Sequence, residues 1–272
     1  MLGNKLQSTN FIGNFLLFLL FLNTAFLYYS FDNSTVIRGS TILNQGYGGP
    51  AYNAQLINGA FISALDRAVG SGAVKFSASL SQYVQVPNIT ATGRTGLSFA
   101  FWFKFSGSQL LSKIVDFGNG PARDNIVFGL NYDDDAFAGI WMGRTFSSEL
   151  LDIFRIYVND NVWRHAVWTL DTNGNWKVYL NGALRTYAVG GFYPNSLPRA
   201  QNYLGKGNFA NDPYLNGAID EFYMFKFVLS AMQVQQLYSE GECECEQALF
   251  WSCFKIRYYR WYVFNRCRTF WM

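Results

Sequence analysis

The middle of this chain alternates large apolar residues with small or polar ones in short runs, and Gly, Asn and Asp break those runs at turn-like intervals. A period of two puts every second side chain on the same face of an extended strand. Strands are predicted over 26–31, 54–57, 73–76, 83–86, 97–105, 111–117, 125–131, 138–142, 154–158, 164–170, 176–180, 184–189 and 218–227. In Leu97-Ser-Phe-Ala-Phe-Trp-Phe-Lys-Phe105 every odd position is large and apolar, so one face looks inward, and Trp102 makes the second face partly apolar. The pairs Asn173-Gly174 and Asn181-Gly182 supply residues that tolerate positive φ and predict two hairpins. One helix is predicted over 230–238: Ser230 caps it, Val234, Leu237 and Tyr238 share one side, and it is placed to close the end of the fold. Nothing resembles a βαβ unit, so the expected class is all-β, a two-sheet antiparallel sandwich with one short C-terminal helix.

The two ends break this pattern. Lys5 is followed by the run Phe15-Leu-Leu-Phe-Leu-Leu-Phe-Leu22 and then Asn-Thr-Ala25, the order of a secretory signal cleaved after a small residue. Left uncut, the same stretch is just long enough to anchor the chain in a bilayer. The last part, from Ala248, has aromatic and basic residues with no acid, a composition suited to a membrane interface, although Lys255, Arg257 and Arg260 interrupt any clean span. The expected organisation is a signal peptide or anchor at 1–25, one sandwich domain at 26–240, and a Cys- and aromatic-rich basic tail at 241–272.

Composition sharpens the picture. Aromatics are 19% of the residues and charges only 14%, which favours strands, because flat rings fit a pleated, half-buried surface. Six of the 21 Lys and Arg and three of the 18 Asp and Glu lie in the two ends, so the central region is neutral and offers no basic face to nucleic acid. All four cysteines, Cys243, Cys245, Cys253 and Cys267, fall in the tail, and the sandwich needs no disulfide. Their Cys-x-Cys spacing without a nearby His matches zinc knuckles poorly. The sequons at Asn33 and Asn88 are candidate glycosylation sites and agree with a secretory route.

Several stretches, in order, carry a family resemblance: Tyr28-Tyr-Ser-Phe-Asp32, Ala73-Val-Lys-Phe-Ser77 with Gln82-Tyr-Val-Gln-Val-Pro87, and Leu97 to Lys104. Trp163-Arg-His-Ala-Val-Trp168 through Val178-Tyr-Leu-Asn-Gly182 and Gly217-Ala-Ile-Asp-Glu-Phe-Tyr-Met-Phe225 complete the set. Over 26–238 the chain resembles the laminin-G-like, concanavalin A-like lectin and glucanase jelly-roll family. The resemblance implies a jelly-roll sandwich whose first and last strands are neighbours, and a structural Ca²⁺ held by rim carboxylates and loop carbonyls. Asp32 and Asp220 are its candidate metal ligands here, and two acids alone fall short of the six to eight oxygens that Ca²⁺ takes. The alternative is that Asp32 accepts from the turn behind it and Asp220 ties down a neighbouring loop. Glucanases of this shape carry Glu-x-Asp-x-Glu on one strand; here the corresponding positions are Ala218, Asp220 and Phe222, so no catalytic residues are assigned.

The remaining polar clusters yield one binding site. His165, the only histidine, lies between Trp163 and Trp168 in a strand with no nucleophile beside it, and is read as structural. Asp133-Asp-Asp135 is read as a solvated loop tip, with a cation as the minority alternative. Gly205-Lys-Gly-Asn-Phe-Ala-Asn-Asp212 sets amides and a carboxylate beside Phe209 and Tyr214, the mixture a sugar demands, so Asn208, Asn211 and Asp212 are the candidate ligand-binding residues. A turn using those same side chains for its own backbone is the alternative. The function expected is a non-catalytic, secreted or surface-displayed recognition module for carbohydrate or a glycosylated partner. A structural or adhesive protein–protein domain comes second and a glycoside hydrolase third.

Overall fold

A computed structural model describes residues 24–241 apart from 38, 91–94, 144 and 151–152. The signal or anchor expected at 1–25, except its last two residues, and the tail with its four cysteines lie outside the described residues. The first strands are β1 (Leu27–Tyr29), β2 (Val36–Ile37), β3 (Thr41–Ile42), β4 (Ala54–Ile57), β5 (Phe61–Ser63), β6 (Ala73–Phe76), β7 (Tyr83–Val86) and β8 (Ile89–Thr90). Next come β9 (Leu97–Phe105), β10 (Lys113–Gly118), β11 (Ile126–Leu130), β12 (Ala136–Met142), β13 (Thr145–Leu150) and β14 (Arg164–Leu170). The last are β15 (Trp176–Leu180), β16 (Ala183–Ala188), β17 (Pro198–Arg199), β18 (Gln201–Leu204) and β19 (Gly217–Phe225), and then helix α1 (Ala231–Gly241).

These strands build two large antiparallel sheets. One runs β16-β15-β14-β9-β19-β6-β5, with β1 also paired to β19, and the other runs β13-β12-β11-β10-β18-β7-β4-β3-β2. As expected, the first and last strands are neighbours: Leu27 pairs with Met224 and Tyr29 with Phe222. The odd positions of β9 face the second sheet. Phe101 meets Phe128 at 5.1 Å between ring centres and Phe99 meets Phe117 at 5.9 Å, both edge to face. Trp168 and Phe222 fill the same layer, each with almost no exposed surface. Burying one such side chain stabilises by about 2 kcal/mol, so this aromatic layer holds the two sheets together.

The hairpin joining β14 to β15 turns where Asn173-Gly174 predicts it. Gly174 has φ +78°, and a Cβ there would lie 1.9 Å from the Gly191 carbonyl oxygen, so only glycine fits. Helix α1 begins with a capping box: the Gln233 N–H donates to Ser230 Oγ at 3.3 Å and the Ser230 N–H to Gln233 Oε1 at 2.9 Å. It does not close the end of the sandwich. Leu229, Val234 and Leu237 instead cover Ala100, Val167, Tyr179 and Tyr223 on the outward face of the first sheet, whose apolar alternate positions need a lid.

Other expectations are corrected. Residues 154–158 form no strand: Arg155 has φ +53°, and the N–H groups of Phe154 and Arg155 donate to the Asp135 carboxylate. Their alternation comes from Phe154 and Val158 dropping into the core from a loop, and the strand in this region is β13, just before it. Asp135 is accordingly buried, and only Asp133 of the acidic run is exposed. β18 and the short strands β2, β3, β5, β8 and β17 were not expected, since two to four residues give too little alternation to read. No helix of the described residues is long and apolar enough to cross a membrane.

Candidate functional site

The outward face of the second sheet is polar along β3, β4, β7, β18 and β10, where that of the first is sealed. Alternation points Val84, Val86 and Leu204 inward and Tyr83, Gln85 and Tyr203 outward. The strand register places Thr41, Gln55, Gln85, Tyr203 and Asp116 in one row across five strands. At one side of this row the loop after β18 folds over and leaves a hollow of about 240 Å³, lined by Tyr203, Lys206, Asn208, Phe209, Asp212 and Tyr214 among others. Gly207 permits the fold-over, because a Cβ there would stand 2.7 Å from the Asp212 carboxylate.

Asp116 is the anchor of that loop and the residue that sequence reasoning missed. It has no exposed surface, and it accepts from the Asn208 N–H at 2.7 Å, the Asn208 side chain at 2.8 Å and Asn125 Nδ2 at 2.7 Å. Burial pushes its carboxyl up to about 6 against the opposing pull of these hydrogen bonds and of Lys113. Its signal was a single acid inside the apolar run Ile114-Val-Asp-Phe117, at an outward position of the strand. Tyr203, its register partner, stands beside it and belongs to a group of three tyrosines. The Tyr83 and Tyr203 rings meet edge to face at 5.4 Å, and Tyr214 lies 6.1 Å from Tyr83. Burial raises the phenol pKa values of Tyr83 and Tyr203 and lowers that of the Lys206 ammonium.

The three residues named from the sequence separate here. Asn208 and Asp212 line the hollow, whereas Asn211 is exposed on the loop and is not part of the lining. Asn208 uses its amide on Asp116 and on the Gln201 carbonyl at 3.0 Å, so it shapes its own loop as well as the hollow. Asp212 is paired with the buried Lys113 ammonium at 2.6 Å.

The two acids named as calcium ligands lie near one another on the outward face of the first sheet, where the partner of β19 changes from β6 to β1. Asp220 Oδ2 accepts from the N–H groups of Ala68 at 3.0 Å and Val69 at 2.9 Å, and Oδ1 from its neighbour Glu221 at 2.9 Å. Asp32 Oδ1 accepts from the Ser71 N–H at 2.5 Å and its hydroxyl at 2.9 Å. N–H and hydroxyl donors bond both oxygens of Asp220 and one of Asp32, and among the described residues no three His, Cys, Asp or Glu converge on one point. The donor set therefore fits hydrogen-bonded carboxylates rather than Ca²⁺. Burial and the adjacent Glu221 carboxylate together raise the Asp220 pKa well above the ordinary range. Glu221 accepts from Tyr28 Oη at 2.9 Å and Tyr223 Oη at 2.5 Å, and with Asp220 it is shut away from solvent.

His165 is buried between Trp102 and Tyr238, with ring centres at 5.3 and 6.0 Å, and Nδ1 has no hydrogen-bond partner among the described residues. Burial lowers its pKa to about 3, which keeps it neutral. Asn33 and Asn88, the candidate glycosylation sites, are both exposed.

Comparison with known proteins agrees with this architecture. No match to a curated protein sequence is found. Domain 4 of a GH43 extracellular arabinanase from Geobacillus stearothermophilus, solved in complex with arabinotriose, superposes with a TM-score of 0.57 at 19% identity, over 79% of this chain and 98% of that one. The receptor-binding domain of botulinum neurotoxin mosaic serotype C/D gives 0.58 at 15% identity, over 80% and 51%. The serotype D ligand-binding domain in complex with N-acetylneuraminic acid gives 0.54 at 17% identity, again over 80% and 51%. This chain thus spans about half the length of those toxin domains, and at such identities the likeness is one of fold. Residues 77–235 match the model of the concanavalin A-like lectin/glucanases superfamily, and the chain belongs to that family.

Proposed function

We propose that this chain is a non-catalytic, secreted or surface-displayed module that binds carbohydrate in the hollow beside β18. The observation that carries the reading is the meeting of Tyr203 and Tyr214, against which Tyr83 packs, with Asn208 and Asp212 on the polar part of this sheet face. Sugars have apolar ring faces and hydroxyl edges, and a site for them needs flat aromatic surface next to amide and carboxylate groups. The arabinotriose and N-acetylneuraminic acid held by two proteins of the same fold support a sugar as the ligand. The exposed Asn33 and Asn88 support passage through a secretory route. The absence of catalysis is supported by the burial of the adjacent acids Asp220 and Glu221, which leaves no open carboxylate pair there.

A glycan array probed with the full chain and with Tyr203→Ala tests the reading. Retention of a defined set of glycans by the wild type, and its loss in the variant, is the expected result. A protein that binds none of the array, or a variant that binds as well as the wild type, would remove this site. An adhesive protein–protein domain is the second reading, favoured by edge strand β16 and the turn beyond it, where Leu184, Tyr187 and Val189 are 50%, 67% and 76% exposed. An empty array together with self-association in sedimentation would favour it.

A further inference from the structure

The hollow holds one cation, Lys206, that feels the charge of the buried Asp116 but makes no direct ion pair among the described residues. Lys206 Nζ lies 4.3 Å from the ring centre of Tyr203, 4.7 Å from Tyr83 and 5.9 Å from Tyr214. Among the described residues it forms no ion pair, whereas Asp212 across the hollow is matched by Lys113. Asp116 beneath is fully buried and held by Asn125 and Asn208. The lining therefore presents an ammonium that makes no direct ion pair, at a point fixed by three rings.

An ammonium enclosed in this way has already shed part of its water, as the lowered pKa of Lys206 reflects. Pairing it with a ligand anion costs less than pairing a fully hydrated lysine, and the tyrosine faces give the same ligand an apolar surface to rest on. We propose that the hollow takes an acidic sugar, whose ring packs on the tyrosines and whose carboxylate pairs with Lys206. The inference rests on the carbohydrate reading above and names the ligand class for that same site.

Calorimetric titration of the full chain with trigalacturonate and its methyl ester, and with sialyllactose and lactose, tests it. The acidic member of at least one pair is expected to bind about tenfold or more tightly than its neutral counterpart, the gain of a charge-assisted hydrogen bond. That gap collapses in Lys206→Met, whose thermal melting confirms that it is folded, while Tyr203→Ala loses both members. Equal affinity for acid and neutral forms, or a gap that survives Lys206→Met, overturns the acidic-sugar inference and leaves the carbohydrate reading intact. Binding of no oligosaccharide by the wild type, here or on the array, overturns both.

Discussion

Asn208 donates to the carboxylate of Asp116 twice, from its N–H at 2.7 Å and from its side chain at 2.8 Å, across 92 residues of sequence. A loop that looks free to take many shapes is thereby held from below by a buried acid in a neighbouring strand. In Asp116→Ala three N–H donors from Asn208 and Asn125 lose their acceptor inside the protein. The expected cost is about 1–3 kcal/mol of stability, since each unsatisfied buried donor is expensive, together with loss of glycan binding. Urea denaturation and the array measure the two effects.

The same carboxyl should titrate near neutrality. Its folded pKa of about 6 lies above the ordinary 3.8, so the charged form is disfavoured in the fold. The sign follows: the stability this group contributes is fully present below about pH 3.8 and is lost as pH rises through 6, about 3 kcal/mol in all. Binding runs the other way, because the ionised carboxylate is the better acceptor for Asn208, and it weakens below about pH 6. Carbon-13 NMR of the aspartate carboxyls should find one midpoint near 6; a full set near 4 would contradict the burial of Asp116.

His165 acts in the opposite sense. Its folded pKa of about 3 lies below the ordinary 6.5, so its contribution is present above pH 6.5 and is lost as pH falls toward 3. His165→Phe keeps an aromatic ring between Trp102 and Tyr238 and removes the titration. Between about pH 8 and pH 5 the variant should gain roughly 2 kcal/mol relative to wild type. Denaturant titrations at the two pH values give the difference directly.

Asp220 and Asp32 accept hydrogen bonds from the loop around Ala68, Val69 and Ser71. Because donors already bond both oxygens of Asp220 and one of Asp32, EDTA should leave the melting temperature within about 1 °C, less than the shift a 1 kcal/mol change produces in a domain of this size. Asp220→Ala should lower it by several degrees, the result of stranding the Ala68 and Val69 N–H groups. A melting temperature that rises with added calcium would instead restore the cation to this cluster.

Gly174→Ala should be among the most damaging single-atom changes in the chain. Positive φ and a Cβ placed 1.9 Å from the Gly191 carbonyl oxygen both oppose it. A loss of about 3 kcal/mol or more is expected by chemical denaturation, against a few tenths for Gly143→Ala in the open turn between β12 and β13, beyond its own φ penalty.

The sequence made the long strands legible because their alternation is sustained: 97–105, 164–170 and 176–180 stand where periodicity placed them. It made the helix legible through Ser230 and the shared side of Val234, Leu237 and Tyr238. It misled at 154–158, where apolar spacing in a loop imitates a strand, since a loop that plugs a core needs the same residues. The loop of the candidate site was visible as a cluster of Gly, Asn and Asp, and so were Asn208 and Asp212. What stayed hidden was everything that reaches it from elsewhere. Tyr83, Asp116 and Lys113 are brought to Tyr203 and Asp212 by strand register, and register is a property of the sheet that no single segment contains.

The pairing of Leu27 with Met224 sets a condition on biosynthesis. A ribosome releases β1 long before its partner β19, so β1 has no mate while the strands between them are being made. Its hydrogen-bonding edge finds its native partner only when β19 emerges, and completion of the sandwich waits for it. Truncation just before Gly217 would therefore leave β1 without a partner and cut the β5–β6 pair off from β9, and such fragments should accumulate as aggregates rather than as partly folded monomers.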